Sequence, residues 1–327
     1  MAGAKLLLLS VCVGLVAYYY FTTDTFTPEK HPQDSMAGVK LLLLSLSVGL
    51  AAYYFFRTET LKPELVRGKR VLVTGASTGI GEQLAYQFAK LGARVIITAR
   101  REERLKEVVK KCLELGASSA HYVVSDMGNL SSAQNVGEET LKELGGLDYL
   151  VLNHVGGNSA FGNFNRDMDT VRNSLTINFL SYVQVTSATL SALQKSQGSI
   201  IIMSSMSGRI GAPFTATYCA SKFALEGFYS SLRREFSLRD QNVSVTVAVL
   251  GYIDTESALR KVGDKVTMVA SPKEECAFEV VKAGVLRQPE LFYPYWGIRL
   301  FVLLRDWAPG LVGKILDKFY VLENITQ

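Results

Sequence analysis

The sequence is poor in the residues that hold metals. Its three histidines, His31, His121 and His154, lie far apart, and its four cysteines show no C-x-x-C spacing. No zinc or iron–sulfur ligand pattern can be read, and no metal site is expected. Cys12 sits in an apolar stretch, leaving Cys112, Cys219 and Cys276 as an odd set that implies no disulfide framework. Charge of one sign is also scarce. The net charge is +5 and no long basic run occurs, so nucleic acid is not an expected partner. What remains is an ordinary folded composition, 48% hydrophobic and 20% charged over 327 residues. That length suits one large α/β domain with a leader and a tail.

The leader is unusual. Residues 1–30 nearly recur at 36–65, each copy running from a lysine through an apolar stretch to an aromatic cluster. The apolar runs, Leu6–Phe21 and Leu41–Phe56, have 16 residues each. As helices they would reach roughly 24 Å, a little short of a ~30 Å hydrocarbon core. The tyrosines ending each run suit a membrane interface. Bulky aromatics stand where a signal peptidase needs small residues, which favours an uncleaved anchor over a secretory signal. Met36 opens the second copy like an initiator, and residues 1–35 read as a duplicated leader. One anchor with Lys40 in the cytoplasm places the domain across the membrane; two spanning runs return it to the cytosol; a cleaved leader releases it. Three sequons, at Asn129, Asn242 and Asn324, are consistent with a lumenal domain.

From Arg70 the pattern changes. Arg70–Thr74 reads as a strand, Gly75, Gly79 and Gly81 follow closely, Glu82–Leu91 is helical, and Arg94–Thr98 is a second strand. A glycine-rich turn between strand and helix lets backbone approach a pyrophosphate at the positive end of the helix. The second strand ends in Arg100 and Arg101 rather than an acidic residue, which suits a ribose 2′-phosphate; the expected cofactor is therefore NADP(H).

Ala120–Val124, Tyr149–Leu152, Ser199–Met203 and Val243–Leu250 read as further strands separated by helical stretches. The alternation predicts a single Rossmann-type, doubly wound parallel sheet with helices on both faces. Distinctive residues sit just past strand ends: Gly75, Asn153, Ser205 and Gly251. Ligands of open α/β sheets bind in that crevice.

In "TYCASK", Tyr218 and Lys222 stand four apart and share a helix face. An ammonium beside a phenol favours phenolate, so the spacing predicts a tyrosine of lowered pKa, able to act as acid or base. Ser205 ends a strand 13 residues earlier and can converge on the pair.

"TGASTGIG", Asn153 in "LNHVGG", Asn178 in "INFLSY", Ser205 and "YCASK" occur in the order found in the short-chain dehydrogenase/reductase family, which this sequence resembles from about Arg67 to Glu290. "CLELGASSAHY", "GGLDYLVLNH", "SKFALEGF" and "VLGYIDTE" are similar to its 11-beta-hydroxysteroid dehydrogenase type 1 branch, including the type-1-like members. The resemblance implies an enzyme that interconverts a ketone and a secondary alcohol on a steroid or similar apolar substrate by hydride transfer. Tyr218 is implied as the acid/base, Lys222 as its tuner and the holder of the nicotinamide ribose, Ser205 as a hydrogen-bond donor to the substrate oxygen, and Asn178 as the positioner of a relay water. It extends the cofactor contacts to Ser77, Thr78, Ile80, Asp126, Met127, His154, Val155, Ile253 and Thr255, beside the glycines, both arginines, Asn153, Tyr218 and Lys222. It also implies a homodimer on the endoplasmic reticulum membrane with a lumenal catalytic domain.

The sequence departs from the family at three points. Asn153-His154-Val155 replaces Asn-Ala-Gly, Leu250-Gly251 replaces Pro-Gly, and Ala212 stands where steroid-reducing members carry an aromatic residue before Pro213. The alternatives are an oxidoreductase for another lipid, such as a retinoid or a 17-oxo steroid, and a non-catalytic, membrane-anchored binding relative. The expected organisation is a leader (1–35), an anchor and linker (36–66), the dehydrogenase domain (67–290) with a substrate lid at Tyr252–Ser271, and an apolar, basic tail (291–327). That tail suits a membrane surface, a dimer contact or a packed C-terminal helix.

Overall fold

The computed structural model describes residues 49, 60–157, 161–164 and 166–325. The chain divides into two units, Met1–Thr60 and Leu61–Gln327. Both predicted apolar runs lie outside the described residues, Gly49 apart. Among the described residues no helix is long and apolar enough to cross a membrane.

The second unit is built on strands that read as nearly continuous apolar runs, such as "RVLVT" and "SVTVAVL", because both faces of the sheet are covered. There are seven: β1 (Arg70–Thr74), β2 (Arg94–Ala99), β3 (Ser119–Val124), β4 (Tyr149–Leu152), β5 (Ser199–Ser205), β6 (Ser244–Leu250) and β7 (Glu290–Tyr293). Their order is β3-β2-β1-β4-β5-β6-β7, with every pairing parallel. The winding reverses between β1 and β4, and the crevice at that switch point opens at the strands' C-terminal ends.

Alternate residues of each strand feed two cores. Val71, Val73, Val151, Ile201 and Ala248 face α1 (Gly79–Lys90), α2 (Glu102–Glu114) and α8 (Lys273–Val285), meeting Leu84, Phe88, Leu105 and Val280. Leu72, Leu150, Leu152, Ile200 and Val247 face the other side. There they meet α3 (Leu130–Leu144), α5 (Ser181–Ser196) and α6 (Ala216–Leu238) through Val136, Val185, Leu193, Leu225 and Tyr229. Truncating a fully buried leucine or isoleucine of these cores to alanine costs about 2–5 kcal/mol.

Two elements add to the sequence reading. The short helix α4 (Met168–Leu175) runs into α5 through a π-helical turn, Thr176–Leu180, which carries Asn178. The C-terminal segment joins the second core. β7 completes the sheet, and α9 (Tyr295–Trp307) and α10 (Pro309–Asp317) bury Ile298, Val302, Val312 and Leu316 there. Trp296, Leu300, Leu303, Trp307 and Leu311 of the same helices stay exposed. The lid region holds α7 (Glu256–Val262).

Candidate active site

The glycine turn is dictated by contact. Gly75 has φ +65°, and a Cβ there would lie 2.5 Å from His154 Cα. A Cβ on Gly81 would lie 2.3 Å from the Gly75 carbonyl and 2.4 Å from Asn153 Nδ2. The turn is pressed against the end of β4 and tied to it. Asn153 Nδ2 donates to the carbonyls of Thr74 (3.0 Å) and Gly75 (3.1 Å), and its backbone N–H donates to Thr74 Oγ1 (2.9 Å). The N-terminus of α1 follows directly, with the donors and positive dipole end that an anion needs.

At the end of β2, Arg101 Nη2 donates to Ser77 Oγ (3.1 Å) and Thr78 Oγ1 (2.9 Å), fixing a cation on the turn, while Arg100 is exposed beside it. Further along the crevice, Thr98 Oγ1 and Ser125 Oγ are buried without a hydrogen-bond partner, and both residues line the cavity. Such orphans call for a polar ligand. Together with the glycine cradle and the cation, they fit a phosphorylated dinucleotide lying from β3 to β5.

At the other end, Ser205 closes β5, and Tyr218 and Lys222 occupy the first turns of α6. Ser205 Oγ accepts from Ser207 N (3.2 Å). Lys222 is buried, and its Nζ donates to Met203 O (2.7 Å). The ammonium stands over the rings of Tyr182 (5.5 Å to the centroid) and Tyr218 (5.6 Å). Burial lowers its pKa to about 8, with Glu226 acting the other way. The phenol does not follow the expectation drawn from its spacing. Burial pushes Tyr218 up to about 12, partly offset by a hydrogen bond from Ser205. The helix places Lys222 on the shared face, but its ammonium bonds to β5 and faces the tyrosine ring.

Asn178 is fully buried and braces the loop after β4. Its Oδ1 accepts from Gly156 N (2.9 Å), and its Nδ2 donates to Gly156 O (3.0 Å) and Ser174 Oγ (3.2 Å). The His154 ring turns inward. Its Nδ1 lies 2.8 Å from Thr74 Oγ1, and its Nε2 lies 2.7 Å from Ser181 Oγ and 3.0 Å from Ile177 O. Burial, and then the charge of Lys222, lower its pKa to about 3, so the ring is neutral. It links β1 to the π-turn.

One cavity of about 680 Å³ joins these parts. A family model described as short chain dehydrogenase matches residues 69–265.

The chain belongs to the short-chain dehydrogenase family.

It is therefore an oxidoreductase of that family. Hydroxysteroid 11-beta-dehydrogenase 1-like protein A of Xenopus laevis is 72% identical over 325 residues, covering 99% of this chain and 100% of that protein. That alignment spans the duplicated leader as well. The 1-like protein of Danio rerio is 48% identical over 257 residues, 79% of this chain and 89% of its own. A short chain dehydrogenase from Burkholderia cenocepacia, solved in complex with NADP, superposes with a TM-score of 0.62 at 26% identity, covering 69% of this chain and 96% of that one.

In this dehydrogenase the cavity wall takes in Gly75, Ser77, Thr78 and Ile80 from the glycine turn, and Arg100 and Arg101 from the end of β2. Asp126 and Met127 join from β3, and Asn153, His154 and Val155 from β4. Ser205, Tyr218 and Lys222 lie at the other end, with Ile253 and Thr255 past β6. Gly79, Gly81 and Asn178 support the wall from behind. The sequence reading missed the far wall. Phe161 and Tyr320 line the cavity, and with Phe214 they form an aromatic group whose centroids are 5.9–6.1 Å apart. Tyr320 arrives there by pairing with Val266, in the segment predicted as a lid. Thr267 N donates to Phe319 O (2.9 Å), and Val321 N donates to Lys265 O (2.9 Å). No local motif announces a contact between residues this far apart in the chain.

Proposed function

We propose that this dehydrogenase interconverts a ketone and a secondary alcohol on a steroid or similarly apolar substrate, using NADP(H). The observation that carries the reading is the meeting of Ser205, Tyr218 and Lys222 at one end of a cavity whose other end is a glycine turn capped by a cation. When bound, the nicotinamide donates or accepts the hydride. In reduction, Tyr218 gives its hydroxyl proton to the carbonyl oxygen as that oxygen gains charge; in oxidation it takes the proton back. A phenol held near 12 is fully protonated at neutral pH, which suits the acid role. Ser205 Oγ accepts from Ser207 N and bonds Tyr218; on substrate binding its O–H turns from the phenol to the same substrate oxygen. Lys222 keeps a positive charge beside the phenol, easing passage through phenolate. Asn178 fixes the loop after β4 through its bonds to Gly156 and Ser174.

The apolar substrate class is supported by the Phe161, Phe214 and Tyr320 wall and by the hydroxysteroid dehydrogenase-like relatives. Ala212 leaves room where an aromatic residue is expected in steroid reducers, which favours a second reading: another lipid ketone, such as a retinoid or a 17-oxo steroid. We further propose attachment to the endoplasmic reticulum membrane through the N-terminal apolar run, with the domain in the lumen. The exposed apolar face of α9 and α10 supports contact with a bilayer or with a second copy. NADPH consumption against a panel of 11-oxo steroids, 17-oxo steroids and retinaldehyde tests the reading. Turnover of one class identifies the substrate. NADPH binding with no turnover of any class leaves the non-catalytic binding relative.

A further inference from the structure

One turn beyond Lys222, α6 carries a carboxylate where a core would ordinarily place an apolar residue. Glu226 is 8% exposed. Ser204 Oγ donates to its Oε1 at 2.6 Å, and Arg209 Nη2 meets its Oε2 at 2.7 Å. Ser204 is the neighbour of Ser205, and Arg209 lies on the turn that follows it. A Cβ on Gly208 would lie 2.9 Å from Ser204 Oγ and 3.0 Å from Lys222 O, so that turn sits directly on the catalytic helix. Arg209 continues to Glu290 of β7 (2.7 Å), Arg299 of α9 approaches Glu290 (3.9 Å), and Arg305 donates to the Arg209 carbonyl. A chain of alternating charges thus joins the catalytic helix to the C-terminal helices.

We propose that Glu226 is a positioning residue: through Ser204 and Arg209 it clamps the Ser205 turn onto α6, and its charge holds the Lys222 ammonium in place. The role in turnover rests on the proposed reductase activity; the clamp does not. A buried carboxylate in such a cluster is costly to desolvate. Lys222 is faced by the Met203 carbonyl from β5, by Tyr182 from α5, by neutral His154 from the end of β4, and by Tyr218 and Glu226 on its own helix. Glu226 is the one anion in that set. Glu226 itself is faced by Arg209, by Glu290 of β7 and by Arg233 of its own helix. Loss of its charge removes the one anion that holds the lysine in its charged form.

The test uses the full chain in four forms: wild type, Glu226→Gln, Glu226→Asp and Ser204→Ala. Turnover is followed against pH with NADPH and an apolar ketone, and amide hydrogen exchange is followed across residues 204–212. Glu226→Gln should move the alkaline limb of kcat down by about one pH unit, with KM for NADPH nearly unchanged. Glu226→Asp should restore the limb. Ser204→Ala keeps the charge; it should lower turnover and speed exchange in the turn without moving the limb. A wild-type limb in Glu226→Gln, or a fall that is uniform with pH and not rescued by Asp, overturns the electrostatic part. Wild-type exchange in Ser204→Ala overturns the clamp, and that arm reads out even if Glu226→Gln fails to fold. If the wild-type chain turns over no ketone, the function proposal fails separately, and the exchange data still decide the clamp.

Discussion

Lys222 Nζ donates to the carbonyl oxygen of Met203 at 2.7 Å, so the cation of the catalytic helix is anchored to the strand that ends at Ser205. Burial holds its pKa to about 8. A lysine lowered in this way is charged below that pH and neutral above it. Ketone reduction should therefore fall as pH rises through about 8, with an alkaline limb that Lys222→Met abolishes along with most of the rate. An alkaline limb unchanged in residual Lys222→Met activity would assign it to another group.

Tyr218→Phe removes only the phenol oxygen, the proposed acid/base. It should cost about 10²–10⁴-fold in kcat, with NADPH affinity, read by fluorescence titration, within a few-fold of wild type. Retention of a tenth of the rate would move the proton donor elsewhere.

Arg101 anchors its charge on Ser77 and Thr78 and so stands ready at the turn. Arg101→Ala should lower kcat/KM for NADPH by roughly 10–100-fold, the loss of a charge-assisted contact, and leave NADH nearly unaffected. Adding Arg100→Asp should tip the preference to NADH. An unchanged NADPH/NADH ratio in the double variant identifies both arginines as surface charges.

Asp148, at the entry to β4, accepts from Arg70 Nε (2.8 Å), Nη2 (3.1 Å) and backbone N (2.9 Å). Burial acts to raise its pKa, but the Arg70 bonds outweigh burial and hold it below the ordinary carboxylate value. A depressed carboxylate stabilises the fold above its unfolded pKa and loses that contribution as pH falls through the folded one. Asp148→Asn should cost about 2 kcal/mol at pH 7, measured by denaturant unfolding, with the gap narrowing below about pH 4. A gap independent of pH would mean that shape, not charge, is what Asp148 supplies.

Topology can be read in microsomes. A chain begun at Met36 should be protected from protease and should gain glycan at Asn242, which is exposed. Its Nδ2 donates to Gln197 (3.2 Å), and the sequon's Ser244 hydroxyl donates to Ser199 (2.7 Å). Modification should therefore be efficient only before β6 has folded. Digestion of the Met36 form with no glycan shift would place the domain in the cytosol.

The strand–glycine–helix unit was legible because its cause is local. A strand, a φ-positive glycine and an α1 N-terminus follow one another within a few residues. The shared face of Tyr218 and Lys222 was legible for the same reason, since four positions on a helix fix a face. Direction was not legible. Sequence spacing put Lys222 near Tyr218 but could not show that its ammonium bonds to Met203, nor that the phenol is buried, and so the sign of the tyrosine shift was missed. β7 was hidden because Glu290–Tyr293 abuts Pro294 and an aromatic run and reads as tail. The Glu226 cluster and the Tyr320 wall depend on contacts across 22–81 and some 50 positions of chain, which no local pattern encodes.

The pairing of Val266 with Tyr320 brings the last stretch of chain, through Tyr320, into the cavity's far wall. A ribosome finishes the glycine turn and the Ser205–Tyr218–Lys222 corner long before it makes residues 319–321. The chemistry is therefore encoded early and the far wall is hung last. A nascent chain arrested before that point would hold a cofactor site and a reactive corner open on one side.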